Sequence, residues 1–376
     1  MALRHRGVRT FVAVALLAIL LLPALAFAQR APAIVLKPAN ATLGAEFSAI
    51  RAARELADGR VLVTDTRENR FVVADLAAGT VEPVARTGSG PGEFARAATL
   101  VALAEDSTLF PDFGNARWHV MVGAKIIATL PPETPVVRLV PGIILGADRR
   151  GHILTQTNLG PAPVIGGVSV ESLAVVLADR VTGHADTVAR VRSQPLVRNV
   201  VSAGPGNPQR TFLSMVPLTS REQALLFTDG WVAIARLEPY RVDWRAPDGT
   251  MLGGPPLPFA PTKLDDREKR AYVEGIAKLT GRAAPDPSTT PHWPSTIDPF
   301  PINALLAIPD GRLLILRQPT AAEARTRYDV VDRRGRLAGE VTLRENEKII
   351  AFGAKSVYIV VTDDDGIQRL RRHPWP

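Results

Sequence analysis

The chain has no cysteine among its 376 residues. Disulfides, thiolate nucleophiles and thiolate metal sites are therefore excluded. It has only 4 tyrosines and 4 methionines, so a core must come mainly from Val, Leu, Ile and Ala, and the β-branched members of that set favour strands. No Gly-x-Ser-x-Gly occurs, which removes a nucleophile elbow. The glycine-rich stretch at residues 88–92 lacks the Lys-Ser/Thr that a phosphate loop needs. The histidines, His5, His119, His152, His184, His292 and His373, show no zinc spacing. No basic run interleaved with aromatics appears, so no nucleic-acid partner is expected despite a formal charge of +8.

What is present begins with a leader. Arg4, Arg6 and Arg9 precede an apolar run over residues 11–22, Pro23 breaks it, and Ala26-Phe27-Ala28 supplies small residues at a cleavage site. The run is short against the roughly 20 residues of a bilayer span. Residues 1–28 are read as a signal peptide, no membrane span is expected after its cleavage, and the destination is the periplasm or the exterior. The remaining 29–376 are read as one domain. The 32 prolines and 29 glycines describe a turn-rich globular chain.

The rest is organised by repetition. Residues 50–94 hold four short apolar runs separated by Asp58-Gly59, Arg67-Glu68-Asn69, Ala78-Gly79 and the glycine-rich stretch. Such tips supply the positive φ of tight hairpins. Second strands can be anchored near Val61, Thr108, His152, Trp231, Arg312 and Val357, at spacings of 47, 44, 79, 81 and 45 residues. Four strands every 40–50 residues mark a propeller, in which each sheet buries both faces against its neighbours. The expected fold is all-β, a six-bladed β-propeller closed by an N-terminal strand, with a short helical and Pro-rich insertion. The closing strand is expected at residues 34–36, paired into the last blade so that no edge stays free.

The two long spacings place insertions at about 194–219 and 261–301. The second predicts a helix with Thr262 as its cap and Gly281 as its stop, followed by a proline-rich coil. In a four-stranded meander the loops alternate between two faces. The second-to-third loops, the blade crossings and both insertions share one face, and tight turns share the other. The loop-rich face is where a ligand is expected.

Two stretches resemble the repeat of NHL propellers. One is Gly88-Ser89-Gly90-Pro91-Gly92-Glu93-Phe94, and the other is Asp65-Thr66-Arg67-Glu68-Asn69-Arg70, echoed by Asp112-Phe113-Gly114-Asn115-Ala116-Arg117. The match covers about residues 45–125 and decays afterwards to spacing alone. The chain also resembles six-bladed propeller proteins of unknown function exported by several bacterial groups. That resemblance implies a scaffold, a binding module, or a lyase- or lactonase-like enzyme. Candidate ligand contacts are Asp65, Arg67, Asn69, Arg70, Asn115, Arg117 and Trp293. The structural alternative for Asp65, Asn69 and Arg70 is that they hold their own turn. The first expectation is a monomeric binding module for a protein or glycan, without catalytic residues, metal or cofactor. The alternative is a metal-dependent lactonase- or lyase-like enzyme with its site in the central channel. Inner strands that read as almost purely apolar count against the second.

Overall fold

The computed structural model describes residues 31–96, 99–134, 137, 143–158, 167–201, 210–290, 292–323 and 325–376. The proposed leader at 1–28 lies outside them, as does Val136. Among the described residues no helix is long and apolar enough to cross a membrane.

The alternating apolar runs become antiparallel sheets in chain order. Sheet one is Ile50–Glu55, Val61–Asp65, Arg70–Asp75 and Thr80–Pro83. Sheet two is Val101–Ala102, Ser107–Asp112, Arg117–Val122 and Lys125–Leu130. Sheet three is Ile144–Ala147, His152–Asn158, Ser172–Asp179 and Ala185–Arg192. Sheet four is Gln223–Leu226, Val232–Leu237, Tyr240–Arg245 and Met251–Leu252. Sheet five is Leu305–Ala307, Leu313–Leu316, Thr326–Val331 and Leu337–Leu343. Sheet six has Glu347–Phe352, Ser356–Thr362 and Gln368–Pro374, with Ala41–Thr42 as its outer strand. In sheets one, four and five an Asp-Gly turn joins the first and second strands, and Gly59 at φ 84° shows why glycine is needed there.

Each sheet buries its faces against the next. Leu62, Phe71 and Val73 of sheet one pack with Phe110 and Met121 of sheet two. Leu109 and Trp118 continue to Ile144 and Ile153 of sheet three. Leu154 and Val175 meet Ala224 and Ile234 of sheet four. Trp244 of sheet four, Leu314 and Tyr328 of sheet five and Ile349 of sheet six share one cluster. Tyr358 and Leu370 of sheet six then meet Val61 and Val63 of sheet one. The fold is a β-propeller. Burying one large apolar side chain of this kind stabilises by about 1.5–3 kcal/mol, so these inter-sheet contacts dominate its cohesion.

The closure differs in its position from the expectation. Ala41 pairs with Arg372 and Thr42 with Arg371, extended by Leu43 N to Leu370 O and by mutual bonds between Phe47 and Gln368. Residues 34–36 do not close the last sheet. Ile34 N donates instead to Glu340 O on the outer strand of sheet five, and Glu340 N donates to Pro32 O. The physical reason is local: Phe47 and Leu43 are fully buried against the Val61 cluster, whereas Val35 is 79% exposed. The segment with more apolar surface to bury takes the closing edge.

The insertion helix is Asp266–Thr280, with Gly281 as its left-handed stop at φ 67°. Its N-cap is Asp265, whose carboxylate accepts from Glu268 N, and Thr262 lies instead in a two-residue strand paired with Ile297. Aspartate outranks threonine as a cap. Val273 packs inward while Ile276 is exposed.

Candidate functional site

Hydrogen bonds between loops define the loop-rich face. Val168–Ser169, from the second-to-third loop of sheet three, pairs with Leu196–Val201, and Leu196–Val201 with Arg210–Met215, both in the crossing to sheet four. The helix docks on the second-to-third loop of sheet five: Arg267 donates to Ala321 O at 2.6 Å, and Ala321 N donates to the Glu268 carboxylate at 2.8 Å. The second insertion meets the start of sheet four, where Ser220 N donates to Asp298 Oδ2 at 2.6 Å and Gln223 Nε2 to Pro301 O at 2.7 Å. Burial pushes the Asp298 carboxyl above the usual carboxylate range.

The sequence-derived candidates lie on this face, and most of them hold it together. Asp65 is fully buried and accepts from Ser48 N, Arg67 N and Glu68 N. Asn69, at φ 52°, donates to Ala95 O at 3.1 Å. Arg70 pairs with Glu68 at 2.8 Å and stacks over Phe47. Asn115 donates to Asp112 Oδ2 at 2.7 Å and to Gly88 O, while Arg117 donates to Ser89 O, Gly90 O and Glu93 O. Trp293 donates to Pro287 O and meets Tyr272 edge-on. Arg67 differs: it is exposed, and its guanidinium has no partner among the described residues. The stretch at 88–94 works the same way. Its end, Phe94, is 1% exposed between Phe71 and Phe110, at 6.2 and 5.7 Å.

The inner strands surround a channel of about 850 Å³. Its walls are Ala, Leu and Ile from all six sheets, as the apolar inner strands implied. Sequence reasoning missed the charged groups that also line it. Arg51, Arg221 and Lys348 lie at the loop-rich end, where the inner strands begin. Arg51 is the extra residue of a β-bulge, because Ile50 pairs with Asp65 but Ala52 with Thr64. A bulge re-aims a side chain out of the alternating pattern. None of the three cations has a hydrogen-bonding or ion-pair partner among the described residues. Arg221 Nε is buried with nothing to donate to. Arg51 and Lys348 are exposed and Arg221 is half-buried; partial burial first, and the Arg51 charge second, hold the Lys348 ammonium below the ordinary lysine range. Burial likewise lowers Arg221. Asn303 and Phe113 complete this mouth, Phe113 being 40% exposed.

At the other end of the channel Arg333 pairs with Asp229 at 3.0 Å and lies over Phe227, Trp231 and Trp244 at 4.4–4.9 Å, and Arg149 stands beside them without a side-chain partner among the described residues. A metal ion in the channel would need convergent carboxylates or imidazoles. Among the described residues no group of three or more His, Cys, Asp or Glu is so placed, and the uncompensated charges at the mouth are positive. The donor set does not fit a cation.

No family model and no curated protein matches this chain. Solved structures do. A Bacteroides fragilis protein described as exported is 10% identical, covering 90% of this chain and 93% of its own, at a TM-score of 0.47. A member of the DUF4221 family from Bacteroides vulgatus is 10% identical over 92% of this chain and 98% of that one, at 0.45. Streptogramin B lyase is 12% identical over 87% and 84%, at 0.35. At these identities the likeness concerns architecture alone, and the sheet order of this chain makes that architecture a β-propeller.

Proposed function

We propose that the six sheets are the six blades of an NHL-like ring, exported after loss of residues 1–28, which binds a protein or glycan through its loop-rich face. One observation supports this most. Both insertions, the helix and the three-cation channel mouth gather on one face, while the opposite face carries tight turns and the Arg333–Asp229 pair at its channel end. Loops that a rigid scaffold holds in place are where binding residues concentrate. Asp65, Asn115 and Arg117 act in this reading as the frame, and Arg67 and Phe113 as the exposed contacts.

The test uses the full chain, immobilised against a glycan array and crosslinked in its native cell. Arg67→Ala with Phe113→Ala is expected to weaken the partner found by at least tenfold, and Lys355→Ala, in the exposed first-to-second turn of sheet six on the opposite face, to leave it unchanged. Loss caused by Lys355→Ala alone would place the interface on the other side.

A further inference from the structure

Three cations stand at one end of an apolar channel with no acid to meet them. Arg221 is half-buried with its Nε unbonded, and Arg51 and Lys348 are exposed beside it along the channel; a cation partly withdrawn from water is normally paired, because an isolated ion in a low-dielectric setting is costly. Other arginines on or near the inner strands are paired. Arg54 in the same channel donates to Ser107 O, Thr108 Oγ1 and Glu105 O. Arg236 reaches Glu222 and Asp243, and Arg317 reaches Asp329. Arg51, Arg221 and Lys348 share the loop-rich end uncompensated, whereas at the other end Arg149 stands singly without a side-chain partner among the described residues; two of the three repel each other. The inner strands place them in a ring: Arg51 on sheet one, Lys348 on sheet six beside it, and Arg221 at the start of sheet four across the channel.

We infer that this end of the channel is a binding site for an organic anion. Its carboxylate or phosphate head sits among Arg51, Lys348 and Arg221, and its uncharged part lies along Leu100, Ile144 and Leu305. Arg221 supplies the fixed donor, since its Nε is already buried and unbonded. Gln223 does not compete for the ligand, because its amide already donates to Pro301 O and accepts from Ala304 N. Asn303, held at φ 59° at the same mouth, is available as a neutral contact. Guanidinium and ammonium groups with charge-assisted bonds to one anion bind more strongly than neutral donors would. The walls favour an apolar remainder over a bare inorganic ion. The head group could belong to a free organic acid or to an acidic sugar at the end of a glycan; the chemistry at the three cations is shared.

This inference rests on the reading of the loop-rich face as the binding face, and names the ligand chemistry of its centre. The experiment is calorimetry and thermal unfolding of the full chain with four probes: octanoate, glucuronate, inorganic phosphate and the neutral octyl glucoside. Octanoate or glucuronate is expected to bind and raise the unfolding temperature, and octyl glucoside to do neither. The tighter of the two acids identifies the source of the head group. The double variant Arg51→Gln, Lys348→Gln is expected to weaken the bound acid at least tenfold. Without ligand its unfolding temperature should be equal to or above that of the parent, because two repelling charges are gone. A lower unfolding temperature without ligand would show that the cations are structural and would overturn the proposal. So would failure of every anion to bind, or binding that the double variant leaves intact. Loss of anion binding with outer-loop partner binding retained would sink this inference and spare the wider one.

Discussion

In sheet two the acid sits on the second strand and the arginine on the third. Asp112 lies directly opposite Arg117 across the ladder, just as Asp65 lies opposite Arg70 in sheet one. In sheets four and five the charges are exchanged. Arg236 closes the second strand of sheet four and reaches diagonally to Asp243 on the third, at 2.9 Å. Arg317 follows the second strand of sheet five and reaches Asp329 in the same diagonal manner, also at 2.9 Å. Both layouts hold the crossing that arrives from the preceding sheet. The aspartates do it as acceptors, taking Ser48 N in sheet one and Ala95 N in sheet two. The arginines do it as donors, giving to the Glu222 carboxylate in sheet four and to Pro258 O in sheet five. A crossing exposes both N–H and C=O groups, so either polarity of anchor can satisfy it. The family-like motif therefore fades after sheet two while the job it performs continues.

The comparison can be broken most sharply in sheet five. Arg317→Met leaves Asp329, 2% exposed, with only the Tyr240 hydroxyl to bond it. Stripping one partner from a buried pair costs about 3–5 kcal/mol, read by chemical denaturation. Adding Asp329→Asn should recover most of that loss, because the amide oxygen still accepts from Tyr240 and needs no counter-charge. Next comes the apolar staple of the first crossing. Phe94→Ala should cost about 3–4 kcal/mol by opening a cavity between Phe71 and Phe110; a loss under about 1 kcal/mol would mean that sheets one and two do not depend on it. A smaller effect is expected from Asp65→Asn. One oxygen can still accept, but the charge that strengthens three amide bonds is lost, at about 1–2 kcal/mol. If this variant proved as costly as Arg317→Met, the acceptor and donor anchors would be equivalent in strength as well as in role.

The smallest effect is a pH dependence confined to sheet two. His119 is fully buried, with Nδ1 beside Thr129 Oγ1 at 2.9 Å. Burial first, and the Arg117 charge second, hold its pKa below the ordinary histidine value of 6.5. The folded state thus keeps the ring neutral while the unfolded chain protonates it. Its contribution is fully present above about pH 6.5 and is lost as pH falls through that value. Between pH 7 and 5 the parent should lose more stability than His119→Gln, by up to about 1.4 kcal/mol for each unit by which the pKa is depressed. Identical pH profiles for the two proteins would refute it.

Much of the fold was legible because its signals are local. Asp-Gly turns, alternating apolar runs and a period near 45 residues are properties of neighbouring residues, and they located strands in all six sheets. The Asp65 and Asp112 turns were legible for the same reason. Arg236–Asp243 and Arg317–Asp329 were not, because a diagonal pair is read only once the register is known. The channel cations were hidden for a related reason. Arg51 looks like one exposed residue in an alternating strand until the bulge turns it inward, and Lys348 lies nearly 300 positions away along the chain.

By itself, then, the sequence determined the strands, their turns, the all-β class and the side on which the long loops fall, since each depends on backbone preference and periodicity within one repeat. Only the tertiary structure decided which N-terminal segment closes the ring, which anchors hold the later crossings, and that three distant cations share one mouth of the channel without an acid beside them. Those outcomes depend on burial and on charge balance. Both are sums over residues brought together from different repeats, and no single stretch of chain contains them.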